Sequence, residues 1–297
     1  SLGDAAAAGT GTITLNGGAL TAYLAPRTVA NAVTLAASSG FEGYTPAANL
    51  TLTGAVTVTG TNPTIDVAGQ LLTTTFSGAI ADSGAGFTKD GLGTLVLSGT
   101  NTFTGPLTVA GGVLSVGSDA NLGASTAGLV LNGGSFQNTA SFTLGAARTV
   151  AVTGTGTFNI ASGTTLTVGA PITGSGSLAK NGLGTLSLTG QSTYAGSTQV
   201  NTGTLKLDFG AGANAHLLVD RARDGDERAV EADGELRRLT GRDSQARGAD
   251  GHDGDRGIAA GGDLARHSSR RGRGDRPASL RRRFPHDRGA AQFAGGV

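Results

Sequence analysis

The chain has 297 residues, 52 of them Gly, with no Cys, Met or Trp and only 14% charged residues. The missing Cys excludes a disulfide framework, a thiolate metal site and a cysteine nucleophile, and no apolar run approaches the ~18 residues of a membrane-spanning helix. So much glycine without a Gly-X-Y period also excludes collagen.

The net charge of +1 averages two unlike stretches. Residues 1–208 carry 5 Lys and Arg, 7 acids, 39 Thr and no His. Residues 209–297 carry 17 Arg, 14 acids, one Thr (Thr240) and all four His: His216, His252, His267 and His286. The boundary near Asp208 divides an expected folded region, 1–208, from a low-complexity Arg/Gly/Asp/Ala tail, 209–297. With no Met, the chain is expected to be a piece of a longer protein whose start and signal peptide lie upstream.

In chain order, Thr12–Leu15, Leu50–Leu52, Val56–Val58, Leu107–Val109 and Leu166–Val168 alternate with period 2, which predicts strands. Their β-branched residues favour the extended backbone and place aliphatic groups on one face, hydroxyls on the other. Gly17-Gly18, Gly111-Gly112, Gly133-Gly134 and Thr153-Gly154 punctuate these runs as tight corners. No stretch of 1–208 has helical periodicity.

One segment occurs twice. Lys89, Gly91, Gly93-Thr94-Leu95 and Gly99 match Lys180, Gly182, Gly184-Thr185-Leu186 and Gly190. Without a gap the match continues through Phe103 and Tyr194, Gly105 and Gly196, Val109 and Val200, Gly112 and Gly203, Leu114 and Leu205. Every pair is 91 residues apart. Short strands, Gly corners, few large aromatics and an ungapped long period favour stacked coils over a sandwich or barrel. The expected fold is all-β: a right-handed parallel β-helix of eight to ten coils, each of roughly 20–25 residues.

The segments 86–116 and 177–207 resemble the autotransporter-associated β-strand repeat, also called the passenger-associated transport repeat. Leu178-Ala179-Lys180-Asn181-Gly182-Leu183-Gly184-Thr185-Leu186, Tyr194-Ala195-Gly196 and Gly203-Thr204-Leu205 carry the resemblance in the second copy. In the first it is carried by Lys89, Gly91, Gly93-Thr94-Leu95, Asn101-Thr102-Phe103-Thr104-Gly105 and Leu114. Phe103 stands where the motif has tyrosine, Pro106 in a usually polar slot and Val113 in place of threonine. The resemblance implies a type V secretion passenger from a Gram-negative bacterium: a structural or adhesive rod, secreted or held at the cell surface. It also implies a C-terminal translocator barrel in the full-length protein, and repeats that support export and folding without chemistry of their own.

An enzyme is not expected. Without His or Cys in 1–208, no Ser-His-Asp or Cys-His arrangement can form there. A polysaccharide-active β-helix, the rival reading, needs two converging carboxylates, and Asp4, Glu42, Asp66, Asp82, Asp90, Asp119 and Asp208 are isolated in sequence. Stacking of coils is what could bring two together. No catalytic, cofactor-binding or metal-binding residue is assigned, and no cofactor is expected. Lys89 and Lys180 are read as corner residues rather than as a basic ladder, since the following Asp90 and Asn181 suit turns. Phe103 and Tyr194 are read as packing residues rather than a sugar-stacking platform.

In the tail, composition alone accounts for the Arg273-Gly274-Asp275 triplet. Gly248 to Asp255 lacks the period of calcium-binding nonapeptides. Arg266 to Arg288 holds nine Arg against two Asp, enough for nonspecific polyanion binding, with only Phe284 to stack on a base. The abrupt change of composition is what a GC-rich gene read in another frame produces, which places a frameshift between Leu207 and Gly212. A disordered charged linker is the alternative. Little fixed structure is expected after about 210, apart from a weak helix near Asp226–Leu239.

Overall fold

The computed structural model describes residues 8–45, 48–208 and the backbone of 230–231. All of them lie in the first of two units, Ser1–Ala246, and the second, Arg247–Val297, lies outside the described residues. Among the described residues the regular structure is β-strand, with one 3-10 turn at Asp119–Leu122.

Every described strand pair is parallel, and the register steps by 19 to 26 residues from one coil to the next. The chain therefore winds as a β-solenoid with three faces. The first face has eight strands, from Ala19–Ala22 to Ile172–Thr173, and the second has nine, from Arg27–Val29 to Thr198–Val200. The third face is split. Four strands run from Ile13–Leu15 to Ile80–Asp82, and a further five start at Phe142–Leu144.

Alternation dictates which side chains enter the core. On the first face Leu107, Leu129, Val150 and Ile172 stack in register and are fully buried. On the second, Leu95, Leu114, Phe136 and Phe158 do the same. Between them points a mostly polar row that runs in register from Thr28 through Thr51 and Thr75, is interrupted by Val96, and resumes through Ser115 to Gln137, Asn159 and Asn181. The aromatics pack inside in edge-on or tilted pairs, Phe87 with Phe103 at 5.1 Å and Phe136 with Phe158 at 5.8 Å. That geometry suits their ring quadrupoles.

Side-chain hydrogen bonds hold the gap in the third face. Asn101 Oδ1 accepts the Ile80 amide at 2.8 Å, which continues the ladder where no strand follows. Asn101 Nδ2 donates to Asn121 O, and Asn121 Nδ2 donates to Gly99 O at 2.9 Å. Next in the stack is Arg148, the largest fully buried side chain among the described residues. Its Nε donates to Asp119 Oδ1 at 2.8 Å and its Nη1 to Leu122 O and Ala127 O at 2.8 and 2.7 Å, while Nη2 reaches Asp119 Oδ2 and Gly123 O. All five guanidinium donors are thereby used, the condition under which a buried charge is tolerated.

The tail is largely outside the described residues, so the disordered or out-of-frame reading of 209–297 falls there. Within the span expected to be helical, Asp226–Leu239, Val230–Glu231 is a strand that pairs with Leu205 and Lys206. An extended segment pairs readily with the edge strand of a sheet.

Candidate functional site

The motif that occurs twice is the place to look for shared chemistry, and each copy builds the same unit. In the first, Phe87–Asp90 pairs with Leu107–Val109, and Thr94–Leu97 pairs with Val113–Val116. In the second, Ser177–Asn181 pairs with Thr198–Val200, and Thr185–Leu188 with Thr204–Leu207. Each motif is therefore paired with itself, strand one on strand three and strand two on strand four.

The copies do not lie on the same faces. Phe87–Asp90 belongs to the first face, whereas Ser177–Asn181 belongs to the second. The 91-residue period thus equals four turns plus one face. This geometry rules out a ladder joining Lys89 to Lys180.

Both lysines are fully buried, and both make the same three bonds. Lys89 Nζ donates to Asp90 O at 2.7 Å, Gly91 O at 3.1 Å and Gly111 O at 3.2 Å. Lys180 Nζ donates to Asn181 O at 2.8 Å, Gly182 O at 2.8 Å and Thr202 O at 3.1 Å. An ammonium group has three N–H donors, so each is saturated. Each lysine ties its own corner to the next corner of the same motif. Burial pulls both amines down from 10.5 to about 8; at Lys89 the nearby Asp90 and Asp66 carboxylates partly oppose this.

The corner backbone demands glycine. Gly91 and Gly182 have φ of +77° and +75°. A Cβ there would lie 2.4 Å from Val67 O in the first copy and 2.2 Å from Ile160 O in the second. The coil below therefore fixes the residue as much as the dihedral does.

The sequence-based corner assignment for the lysines holds, but the amine's role was missed. The clue was the alternation: Phe87 and Lys89, like Leu178 and Lys180, are two apart on a strand and so face the same way. Phe103 is fully buried and Tyr194 half-buried against the core, its hydroxyl bonded to Thr198 Oγ1. Both are packing residues, as expected.

Stacking does bring two of the isolated acids together: Asp66 and Asp90 are register partners. Asp90 Oδ1 accepts the Gly91 amide at 2.8 Å, and Asp66 Oδ1 is enclosed without a partner. Of the other acids, Asp82, Asp119 and Asp208 are committed to the backbone or to a cation, Glu42 is exposed, and Asp4 lies outside the described residues. Asp82 accepts the amides of Gly86, Thr104 and Gly105 at 2.8 to 3.0 Å. Burial opposes ionisation there, but these amides outweigh it and lower the carboxyl's pKa. Asp119 pairs with Arg148, and Asp208 lies 4.0 Å from Lys206. Among the described residues no group of three or more His, Asp or Glu side chains could hold a metal ion.

The fold and these corners define a class, the repeat-bearing parallel β-solenoid. The family model described as passenger-associated-transport-repeat matches residues 87–116 and 178–207. The chain is also 39% identical over 133 residues to the adhesin BmaC autotransporter of Brucella suis biovar 1 (strain 1330). That match covers 44% of this chain and 4% of the relative. No solved structure matches. The chain thus carries two copies of this repeat, and over part of its length it is similar to an autotransporter adhesin of which it spans only a small share.

Proposed function

We propose that the chain is a stretch of an autotransporter passenger rod with an adhesin-type role on the surface of a Gram-negative bacterium. In this role its faces present polar ladders to a ligand, and its two repeats act as clips that let the rod fold and persist after export. The observation that carries this reading is the pair of buried lysines, each closing one motif on itself with the same three bonds. A unit whose strands pair within 30 residues needs little long-range search, which suits a chain that emerges from a membrane pore end first. The relative is an autotransporter adhesin, and a translocator barrel belongs to the full-length protein in this reading.

The rod is non-enzymatic in this proposal. The Asp66–Asp90 pair is spent on a corner: one carboxylate holds the Gly91 amide and the other is packed against Gly91. The tail after about residue 208 is a frameshift product in the same proposal, and the nucleotide sequence tests that. Another frame should restore Thr/Gly/Leu repeats beyond codon 208.

Two assays test the main reading. Beads coated with the folded chain should adhere to mammalian cells, and excess soluble chain should compete. Folded chain that gives no adhesion above uncoated beads contradicts the adhesin role. Placed ahead of a translocator barrel, the Lys89→Met/Lys180→Met double variant should reach the cell surface in a protease-sensitive form, whereas the parent should be resistant. Equal resistance contradicts the role given to the repeats.

A further inference from the structure

Buried aliphatics fill the solenoid, yet among the described residues six large hydrophobic side chains are exposed: Tyr23, Leu24, Tyr44, Leu71, Leu92 and Leu183. Five of these lie on one edge. The edge between the first and second faces carries Tyr23 and Leu24 in one coil, Tyr44 in the next, Leu71 in the third and Leu92 in the fourth. They are 40 to 74% exposed. The Tyr23 and Tyr44 rings touch across coils, with centroids 4.9 Å apart. In the following coils the same edge is made of Gly111-Gly112, Gly133-Gly134 and Gly174-Ser175-Gly176, so the ridge stops after four coils.

We infer that this ridge is a self-association surface, and that its occupant is the same ridge of a second copy of the chain, run antiparallel. Three observations converge. The five side chains expose on the order of 500 Å², at the upper range of the largest apolar patch on a monomer. Two such ridges together bury about 1,000 Å², the threshold for a specific interface. The tips recur at the coil spacing of ~4.8 Å, a period that another ridge of the same build matches tip into gap. The charges at the two ends of the ridge are complementary in one direction only, and exposed Glu42 flanks its second coil. Arg27 lies at the first-coil end, its guanidinium folded back onto Pro26 O at 3.2 Å and Tyr23 O at 3.5 Å. Exposed Asp90 lies at the fourth-coil end beside Leu92. A two-fold axis between the second and third coils sets Arg27 of each copy near Asp90 of the other, as an isologous interface requires. A parallel alignment would set like charges together.

The test uses the full 297-residue chain in sedimentation runs across micromolar concentrations. A reversible dimer is expected. Leu71→Asp/Leu92→Asp should weaken it at least about 30-fold, the effect of losing central apolar anchors, with an unchanged circular dichroism spectrum. Leu183→Asp, at the matching motif position on a different edge, should leave the dimer intact. The absence of cysteine makes orientation testable without background. A mixture of Tyr44→Cys and Leu71→Cys chains should form disulfide-linked pairs faster than either alone, and Leu92→Cys alone should not. A monomer at every concentration, a dimer indifferent to the Asp substitutions, or rapid Leu92→Cys self-linkage would each overturn the inference.

Discussion

The two transport repeats are one structure placed on two different faces. Strand pairing, corner dihedrals and the three lysine bonds coincide although one unit is turned by a face relative to the other. The motif therefore specifies its own closure, independently of which side of the rod it occupies. Where the copies differ, they differ in charge. Lys89 has the Asp90 and Asp66 carboxylates near it, whereas Lys180 has Asn181 in register with Asn159. The first clip is a buried cation with counter-ions, and the second is a buried cation held by carbonyl dipoles alone.

Removing each amine should break the comparison most strongly. Lys180→Met leaves three corner carbonyls without this donor and should cost about 3 kcal/mol, the scale for breaking a buried charged group's bonds. Lys89→Met should cost about 1 kcal/mol more, because Asp66 and Asp90 lose their cation as well. Urea unfolding midpoints measure both, and equal losses would show that the acids add nothing. Gly91→Ala and Gly182→Ala come next, at about 1–3 kcal/mol each. They should be alike, since both corners share φ and both meet a carbonyl of the coil below.

The pH response is smaller and has a definite sign. Both lysines have folded-state values depressed to about 8 from 10.5. Between those values the unfolded chain holds more protons, so stability rises with pH. It is fully present above about 10.5 and is lost as pH falls through about 8. The urea midpoint should climb between pH 8 and 10, and the double Met variant should flatten that climb. The smallest effect belongs to Asn181→Asp, which gives the second corner the carboxylate of the first. It should raise the Lys180 value and change stability by less than about 1 kcal/mol, as measured by the same midpoints.

Much of the rod was legible because alternation and glycine punctuation are local signals. Thr12–Leu15, Val56–Val58 and Leu166–Val168 are strands where the pattern places them, or within one residue. The repeat gave the coil class through its ungapped period, but not the one-face offset, which depends on coil length summed over four turns. The lysine clip was half legible: Lys89 sits on the apolar side of its strand, but its acceptors Asp90 O and Gly111 O are backbone atoms that no residue type announces. Arg148 was not legible. Asp119 lies 29 residues earlier and the carbonyls of Leu122 and Ala127 are supplied by the segment between, so only the stacked structure brings these acceptors around one guanidinium. The helix expected near Asp226–Leu239 failed at Val230–Glu231, where an open sheet edge outweighed local helical preference.

The central claim is that each repeat is closed by its own lysine. Native-state hydrogen exchange on the Lys180→Met chain tests it most directly, because opening free energies are resolved residue by residue. Protection should fall at residues 181–184 and 201–203, while the equivalent corners at 90–93 and 110–112 keep the parent's rates. Unchanged exchange at 181–184, or an equal loss in both repeats, would contradict the claim.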